Sequence, residues 1–331
     1  LLFFVHRFKP TVYIFSILME KFLRNSAWFL GFVIIIICLL QGIISFRIKD
    51  KAITGYDNWD TTSNNNADIV LLGSSRCWAH FDPRFFEAKY HLKTVNIGMN
   101  GHSELPASIL RLENYLSKNK APKYAVLSFD PSTCPGSYEN NTNFVNKNNY
   151  ARFAFLPSQE NVDLINYFKF DYKEKYLPLY ALFKYKLVED AVTLKNSNLF
   201  KEGFELNDEQ WDTIKNPVSG SMKKHFIKDD EIPLLKTQLL QLKSICTKNN
   251  IRLLCIQTPA YKSNYDALVF LRSAVICKSL NITFIDANSL AIRENSNNFY
   301  NSTHLNKKGV QEMNKRLKNE KKLDMFFKIN P

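Results

Sequence analysis

The sequence predicts an α/β protein. It is a three-layer α/β/α sandwich with five parallel strands, one N-terminal transmembrane helix and a mostly helical insertion. Three observations carry this expectation. Short, almost wholly apolar runs alternate with stretches of helical periodicity, as in a parallel sheet buried on both faces. One uncharged apolar stretch near the N-terminus is long enough to cross a bilayer. About a hundred residues of aromatic-rich composition separate the third strand from the next helix, and a structureless loop of that length does not suit a compact domain.

The elements follow in order. Residues 1–25 form an N-terminal segment. The chain starts at Leu1 and Met19 is a natural start, so 1–18 reads as an upstream extension. Its apolar run Thr11 to Leu18 is too short to span. Residues 26–46 read SAWFLGFVIIIICLLQGIISF without a charge. At ~1.5 Å per residue they cover about 30 Å, one hydrocarbon core. A buried core helix rarely needs so long an apolar run. A cleaved signal peptide has an apolar region of only ~7–15 residues, and no clear small-x-small cleavage site follows here. An uncleaved anchor is expected. Lys21 and Arg24 precede it and Arg47, Lys49 and Lys51 follow, so flanking charge does not orient it. Polar residues 47–66 are a linker.

The folded domain is expected over 67–325. Ile69–Leu72 is a buried strand running into Gly73-Ser74-Ser75. Asp82-Pro83 opens a helix over 83–90, a cap followed by a first-turn proline. Thr94–Ile97 is the second strand. Leu105, Ile109, Leu112 and Leu116 place a helix over 103–119. Tyr124–Phe129 is the third strand. The insertion occupies about 135–228 and is rich in Phe and Tyr. It is a packing subdomain, a cap over the strand ends, or a surface resting on lipid. Leu235, Leu239, Leu242 and Ile245 place a helix over 231–249. Ile251–Ile256 is the fourth strand, a helix follows at about 264–280, Ile282–Ile285 is the fifth strand, and a helix over 306–319 closes the domain.

Composition bounds the function. The 331 residues are 45% hydrophobic and 23% charged, which suits one large globular domain or two small ones. Lys and Arg number 44 against 31 Asp and Glu, a net charge of +13 that favours anionic partners. No helix-turn-helix, zinc-finger or aromatic RNA-binding signature is present, so lipid at the anchor is expected rather than nucleic acid. The six cysteines form no CxxC and the six histidines have no paired spacing, so no metal site is expected. Buried free thiols are the plainer reading of the cysteines.

In a parallel sheet, ligands bind beyond the carboxyl ends of the strands. Three strand-end segments carry suggestive residues: Gly73-Ser74-Ser75-Arg76, then Gly98 with Gly101, then Asn301-Ser302-Thr303-His304 before the last helix. A serine at a tight strand-to-helix turn exposes its hydroxyl. A histidine brought to it can take the proton, and a glycine N–H can approach a developing oxyanion. Each piece has a plainer reading. Gly-Ser-Ser is a common turn, His304 could cap the final helix, Asn301-Ser-Thr is a glycosylation triplet, and Arg76 could pair with a structural carboxylate. His80 and His102 read first as structural histidines, His102 being the better second base.

Taken together, these blocks resemble the SGNH (GDSL-like) hydrolase superfamily, in particular its membrane-anchored branch with GSS for GDS. That branch includes the D-alanine transfer protein of teichoic-acid modification and the polysaccharide O-acetyl enzymes. The resemblance covers about 67–130 and 231–320. The first block ends at Ser75, the second matches Val95-Asn96 with Gly101, and the last matches Asn301-Ser-Thr-His304-Leu305-Asn306 with Gly309. It implies a flavodoxin-like sheet, Ser75 as nucleophile, His304 as base, and the Ser75 and Gly101 amides as oxyanion donors. It also implies an acylated glycan or envelope polymer as substrate, and a domain outside the cytoplasm on a single-pass anchor. Two positions depart from the family. Phe129-Asp130-Pro131-Ser132 lacks the oxyanion Asn, and Asn301 stands where the family has Asp. Asp286 is the candidate substitute carboxylate, with Arg76 and His102 as accessory candidates. The alternative is a catalytically inactive SGNH-like envelope protein that binds a glycan or protein partner.

Overall fold

The computed structural model describes residues 8–49, 62–99, 105–129, 151, 154–155, 166–189, 203–204, 206–216, 229–261 and 267–327. The sheet is wholly parallel and contains β1 (Ile69–Leu72), β2 (Thr94–Asn96), β3 (Tyr124–Ser128), β4 (Arg252–Gln257) and β5 (Thr283–Asp286), in the order β2-β1-β3-β4-β5. This is the flavodoxin-like order, with its topological switch point between β1 and β3. The strands are short because each apolar run ends in a polar residue or glycine. The four residues of β1 and the five of β3 are all buried, which is why their sequences read as unbroken apolar runs rather than as alternation.

Helices cover both faces. On one face α4 (Leu105–Lys118), α7 (Ile232–Lys248) and α8 (Ala267–Ser279) pack Leu112, Leu239 and Ile276 against Val70, Leu72, Leu127 and Cys255. On the other, α3 (Pro83–Tyr90), α10 (Lys307–Lys318) and α11 (Lys321–Phe327) bring Phe86, Met313 and Phe327 against Ile69, Val126 and Ile285. Alternate strand residues serve opposite faces, as a pleated strand requires. The core runs on to Phe327, past the expected edge at 325, because Phe326 and Phe327 pack around the Tyr124 ring. Cys77, Cys246, Cys255 and Cys277 are buried thiols that take part in no disulfide, while Cys38 is exposed on the N-terminal helix. Cys134 lies outside the described residues.

The N-terminal helix α1 runs Phe8–Lys49, much longer than the expected 26–46. Pro10 falls in its first turn, where a missing N–H costs nothing. The apolar run 11–18 and the helix-favouring Met19-Glu20-Lys21 then continue into the span without a break. Among the described residues this is the one helix long and apolar enough to cross a membrane, over Phe15–Phe46 with a mean hydropathy of 2.7.

The described part of the insertion is helical at α5 (Tyr172–Tyr176) and α6 (Tyr180–Lys184). It is irregular over 206–216. Phe168, Phe170, Leu182 and Tyr185 form a third apolar cluster that takes in Met99 and Ala107 of the main domain. Glu174 is fully buried there and holds the Tyr185 hydroxyl and the Lys184 ammonium at 2.6 and 2.7 Å.

Candidate active site

The site forms where β1 meets α2 (Ser75–His80), at the switch point. The chain leaves β1 through Gly73, whose φ of +143° no side chain adopts easily, and a Cβ there would stand 2.8 Å from Ser128 Cβ. Ser74 caps the helix, its Oγ accepting from Arg76 N–H at 3.0 Å. Ser75 is thus the first helical residue, where backbone N–H groups lack intrahelical acceptors. From Leu71 to His80 every residue is buried except Ser75.

The second block holds this turn from the side. Asn96 donates through Nδ2 to the Cys77 and Phe81 carbonyls, each at 2.9 Å, and accepts from Gly98 N–H at 2.9 Å. Gly98 is required by close approach: a Cβ would lie 2.7 Å from Trp78 N. Met99 N–H donates to Gly73 O at 2.8 Å, closing the two loops together. Asn96 is fully buried, and its role is to fix the α2 turn.

The histidine arrives on the loop between β5 and α10. Phe299 and Leu305 form an isolated antiparallel bridge, and Tyr300 N–H donates to His304 O at 3.1 Å. Asn306 caps α10, accepting from Gly309 N–H at 3.1 Å. His304 is therefore not the helix cap, and its ring is turned toward α2. There Nε2 lies 2.8 Å from Ser75 Oγ. Insertion residues buttress the loop, with Trp211 N–H donating to Phe299 O at 2.9 Å and Asn306 Nδ2 to Glu209 O at 3.2 Å.

Asn301 settles the tautomer. Its Oδ1 accepts from Thr303 N–H at 3.0 Å, His304 N–H at 2.9 Å and the Thr303 hydroxyl at 3.0 Å. Two backbone donors at one atom identify it as oxygen rather than the amide nitrogen. The same oxygen lies 3.0 Å from His304 Nδ1 and can only accept, so Nδ1 carries the proton. Nε2 then presents a lone pair to the Ser75 hydroxyl, the arrangement a general base needs. Desolvation of this half-buried ring, aided by the nearby Arg76 charge, pushes the His304 pKa down to about 3. The imidazole is neutral at physiological pH.

Arg76 is buried and donates from one guanidinium nitrogen to the Thr258 and Pro259 carbonyls, at 2.9 and 2.6 Å. It ties the β4 exit to α2 and places a positive charge beside the site. His80, fully buried, accepts the Leu305 N–H through Nε2 at 3.0 Å, and its ring meets His304 edge-on at 6.0 Å. Its pKa lies well below the usual value because of burial, then the Arg76 and His304 charges. The sequence offered no signal for this role, since a six-residue helix has no usable periodicity. Tyr300 stacks on His304, at 5.4 Å and 13° between planes.

Asp286 sits elsewhere in the hydrogen-bond network. Its Oδ1 accepts from Asn288 N–H at 2.8 Å, and its carbonyl takes the Arg316 guanidinium at 2.5 Å. Burial raises its pKa, opposed by the Asn288 N–H and by Arg316 and Arg293. Asn301 and Thr303, not Asp286, lie against His304 Nδ1. Gly101 and His102 lie outside the described residues, as does Asp130-Pro131-Ser132.

No known family model matches the sequence, and no curated protein matches it. Among solved structures the chain is similar to a Bacteroides fragilis protein described as a "putative acylhydrolase". The two share 11% identity at a TM-score of 0.37, over 78% of this chain and 88% of that one. What the site can do follows from its own geometry.

Proposed function

We propose that this chain is a membrane-anchored serine esterase or O-acyltransferase of SGNH type, acting on an acylated glycan or polymer of the cell envelope. The observation that carries the reading is the 2.8 Å contact between His304 Nε2 and the Ser75 hydroxyl at the first position of a helix. In the proposed reaction Ser75 Oγ attacks the ester carbonyl and His304 Nε2 takes its proton. The imidazolium is held through Nδ1–H by Asn301 Oδ1. The Ser75 N–H, with the Gly101 N–H, stabilises the oxyanion. The bond to the alcohol then breaks as His304 returns the proton to the leaving oxygen. Water or an acceptor hydroxyl attacks the acyl-Ser75 ester with the same base, giving hydrolysis or transfer. The chemistry uses no metal or organic cofactor. The +13 net charge suits an anionic polymer, and the proposed location is the outer side of the membrane.

The neutral Asn301 favours a second reading, an inactive protein of the same fold that binds a glycan or partner. One experiment separates the two. Full-length protein is mixed with p-nitrophenyl acetate, quenched in acid and digested. The enzyme reading expects an acetyl adduct on the Ser75 peptide that is missing from Ser75→Ala. No adduct on any peptide, with the fold intact, favours the binding protein.

A further inference from the structure

The polar residue Gln41 lies well inside the long apolar helix α1, and it is only 5% exposed. Its Oε1 accepts the backbone N–H of Leu179 at 2.6 Å, and its Nε2 donates to Ser45 Oγ at 2.9 Å. One turn on, Ile44 packs against the insertion cluster of Phe168, Phe170 and Leu182. One face of the end of α1 is therefore covered by folded protein, while Ile43 and Phe46 stay exposed. That cover includes the non-helical connection between α5 and α6, where Leu179 has a φ of +65°. Irregular backbone does not sit lipid-exposed in the hydrocarbon layer. The hydrocarbon boundary then falls at about Gln41. Counting back ~19 residues from Leu40 at ~1.5 Å each gives about 29 Å and reaches Phe22. Lys21 lies just outside that span, and Arg24, one turn inside, can extend its charge to the interface.

We propose that α5 and α6 rest in the headgroup layer of the bilayer that α1 crosses, seating the domain on the membrane. Outside α1, among residues whose exposure is described, the exposed aromatic side chains all lie here: Tyr172 at 72%, Tyr176 at 46% and Phe183 at 61%. Leu177 joins them at 47%. Tyr172 and Tyr176 share one helix face, their rings 4.7 Å apart. Amphipathic aromatic rings are the residues that favour the membrane–water interface. Lys173 and Lys175 stand between them and match anionic headgroups. The surface also continues a contact already made, because the Leu179 bond to Gln41 fixes α5 and α6 beside the emerging anchor.

The seating reaches the site. Met99, whose N–H holds Gly73 O beside Ser75, belongs to the same cluster as Ile44. The anchor, the insertion and the Ser75 turn form one packed series, which sets the serine at a fixed height above the lipid. If the proposed esterase reading holds, the acyl group must be presented at the bilayer surface, on a lipid or on a lipid-linked polymer.

The test uses full-length protein in phosphatidylglycerol-containing liposomes, in a Cys38→Ser, Cys134→Ser background. An environment-sensitive fluorophore is placed at Leu30→Cys, Phe183→Cys or Leu290→Cys, and nitroxide lipids labelled at the headgroup or at mid-chain serve as quenchers. The expected result is loss of emission at 30 with the mid-chain nitroxide, loss at 183 with the headgroup nitroxide, and none at 290. Leu290 is 65% exposed on the short helix α9 (Leu290–Arg293), so it reports an apolar surface not proposed to touch lipid. Quenching at 30 without quenching at 183 overturns the seating, as does equal headgroup quenching at 183 and 290. No quenching at 30 overturns the spanning of α1 and the seating with it. None of these readouts depends on catalysis, so failure here is distinguishable from failure of the esterase reading.

Discussion

Asn301→Asp should make the site faster. Oδ1 of Asn301 accepts from Thr303 N–H, His304 N–H, the Thr303 hydroxyl and His304 Nδ1, all at 2.9–3.0 Å. A carboxylate oxygen keeps all four bonds, so the loop has no reason to move. What changes is the charge facing the imidazolium that forms in the transition state. A neutral hydrogen bond contributes about 1 kcal/mol and one to a charged group about 1.5–3 kcal/mol. The Coulomb attraction of a pair ~4 Å apart is about 4 kcal/mol at an effective dielectric of 20. Partial exposure of His304 and the opposing Arg76 charge reduce it. A net gain of about 1.5–3 kcal/mol converts to roughly 10- to 100-fold in rate. The same carboxylate raises the His304 pKa from about 3. The base is active above its pKa, so the acid limb of the rate profile should move toward neutral pH. Initial rates on p-nitrophenyl acetate across pH, with thermal melts as the fold control, measure both effects. An unchanged or lower rate with an intact fold refutes Asn301 as the group that orients and stabilises His304. Asp286→Asn, whose carboxylate bonds the Asn288 N–H instead, should then be assayed for loss.

Two further outcomes are expected. Gly73→Ala forces a Cβ to 2.8 Å from Ser128 Cβ at a φ of +143°, so it should cost about 1–3 kcal/mol of stability and displace Ser75; a variant that melts and turns over like the parent contradicts this. His80 and His304 are both held below the usual 6.5, so the unfolded chain takes up protons that the folded chain refuses. Stability should be complete above about pH 6.5 and fall as the pH drops toward about 3, and His80→Phe should flatten that slope in melts across the acid range.

Much of the sheet was legible because three of its strands, β1, β2 and β3, are buried on both faces. Ile69–Leu72 admits one reading as a strand, and the structure ends β1 at the same residues. Asp82-Pro83 likewise marked the start of α3, with Asp82 Oδ1 accepting Arg84 N–H. Ser75 and His304 stood out because chemistry places such residues after strands, although nothing in their spacing showed that they meet. The pieces that escaped are short or depend on partners distant in sequence. The α2 helix and α9 are too brief to show a period. Asn96 read as part of a motif, yet its function is to satisfy carbonyls across the Ser75 turn. His80 lies 225 residues from the Leu305 N–H that it accepts. The helix α1 runs further than the uncharged 26–46 stretch because Lys21 and Arg24 break the apolar run without breaking the helix.

The central claim is that the Ser75 hydroxyl, activated by His304, is a nucleophile. Labelling of the detergent-solubilised full-length protein by a fluorophosphonate probe tests it most directly. Labelling of the parent protein that disappears in Ser75→Ala and in His304→Ala, with both variants folded, is the predicted result. A parent protein that never labels, or a Ser75→Ala variant that labels as well as the parent, would contradict it.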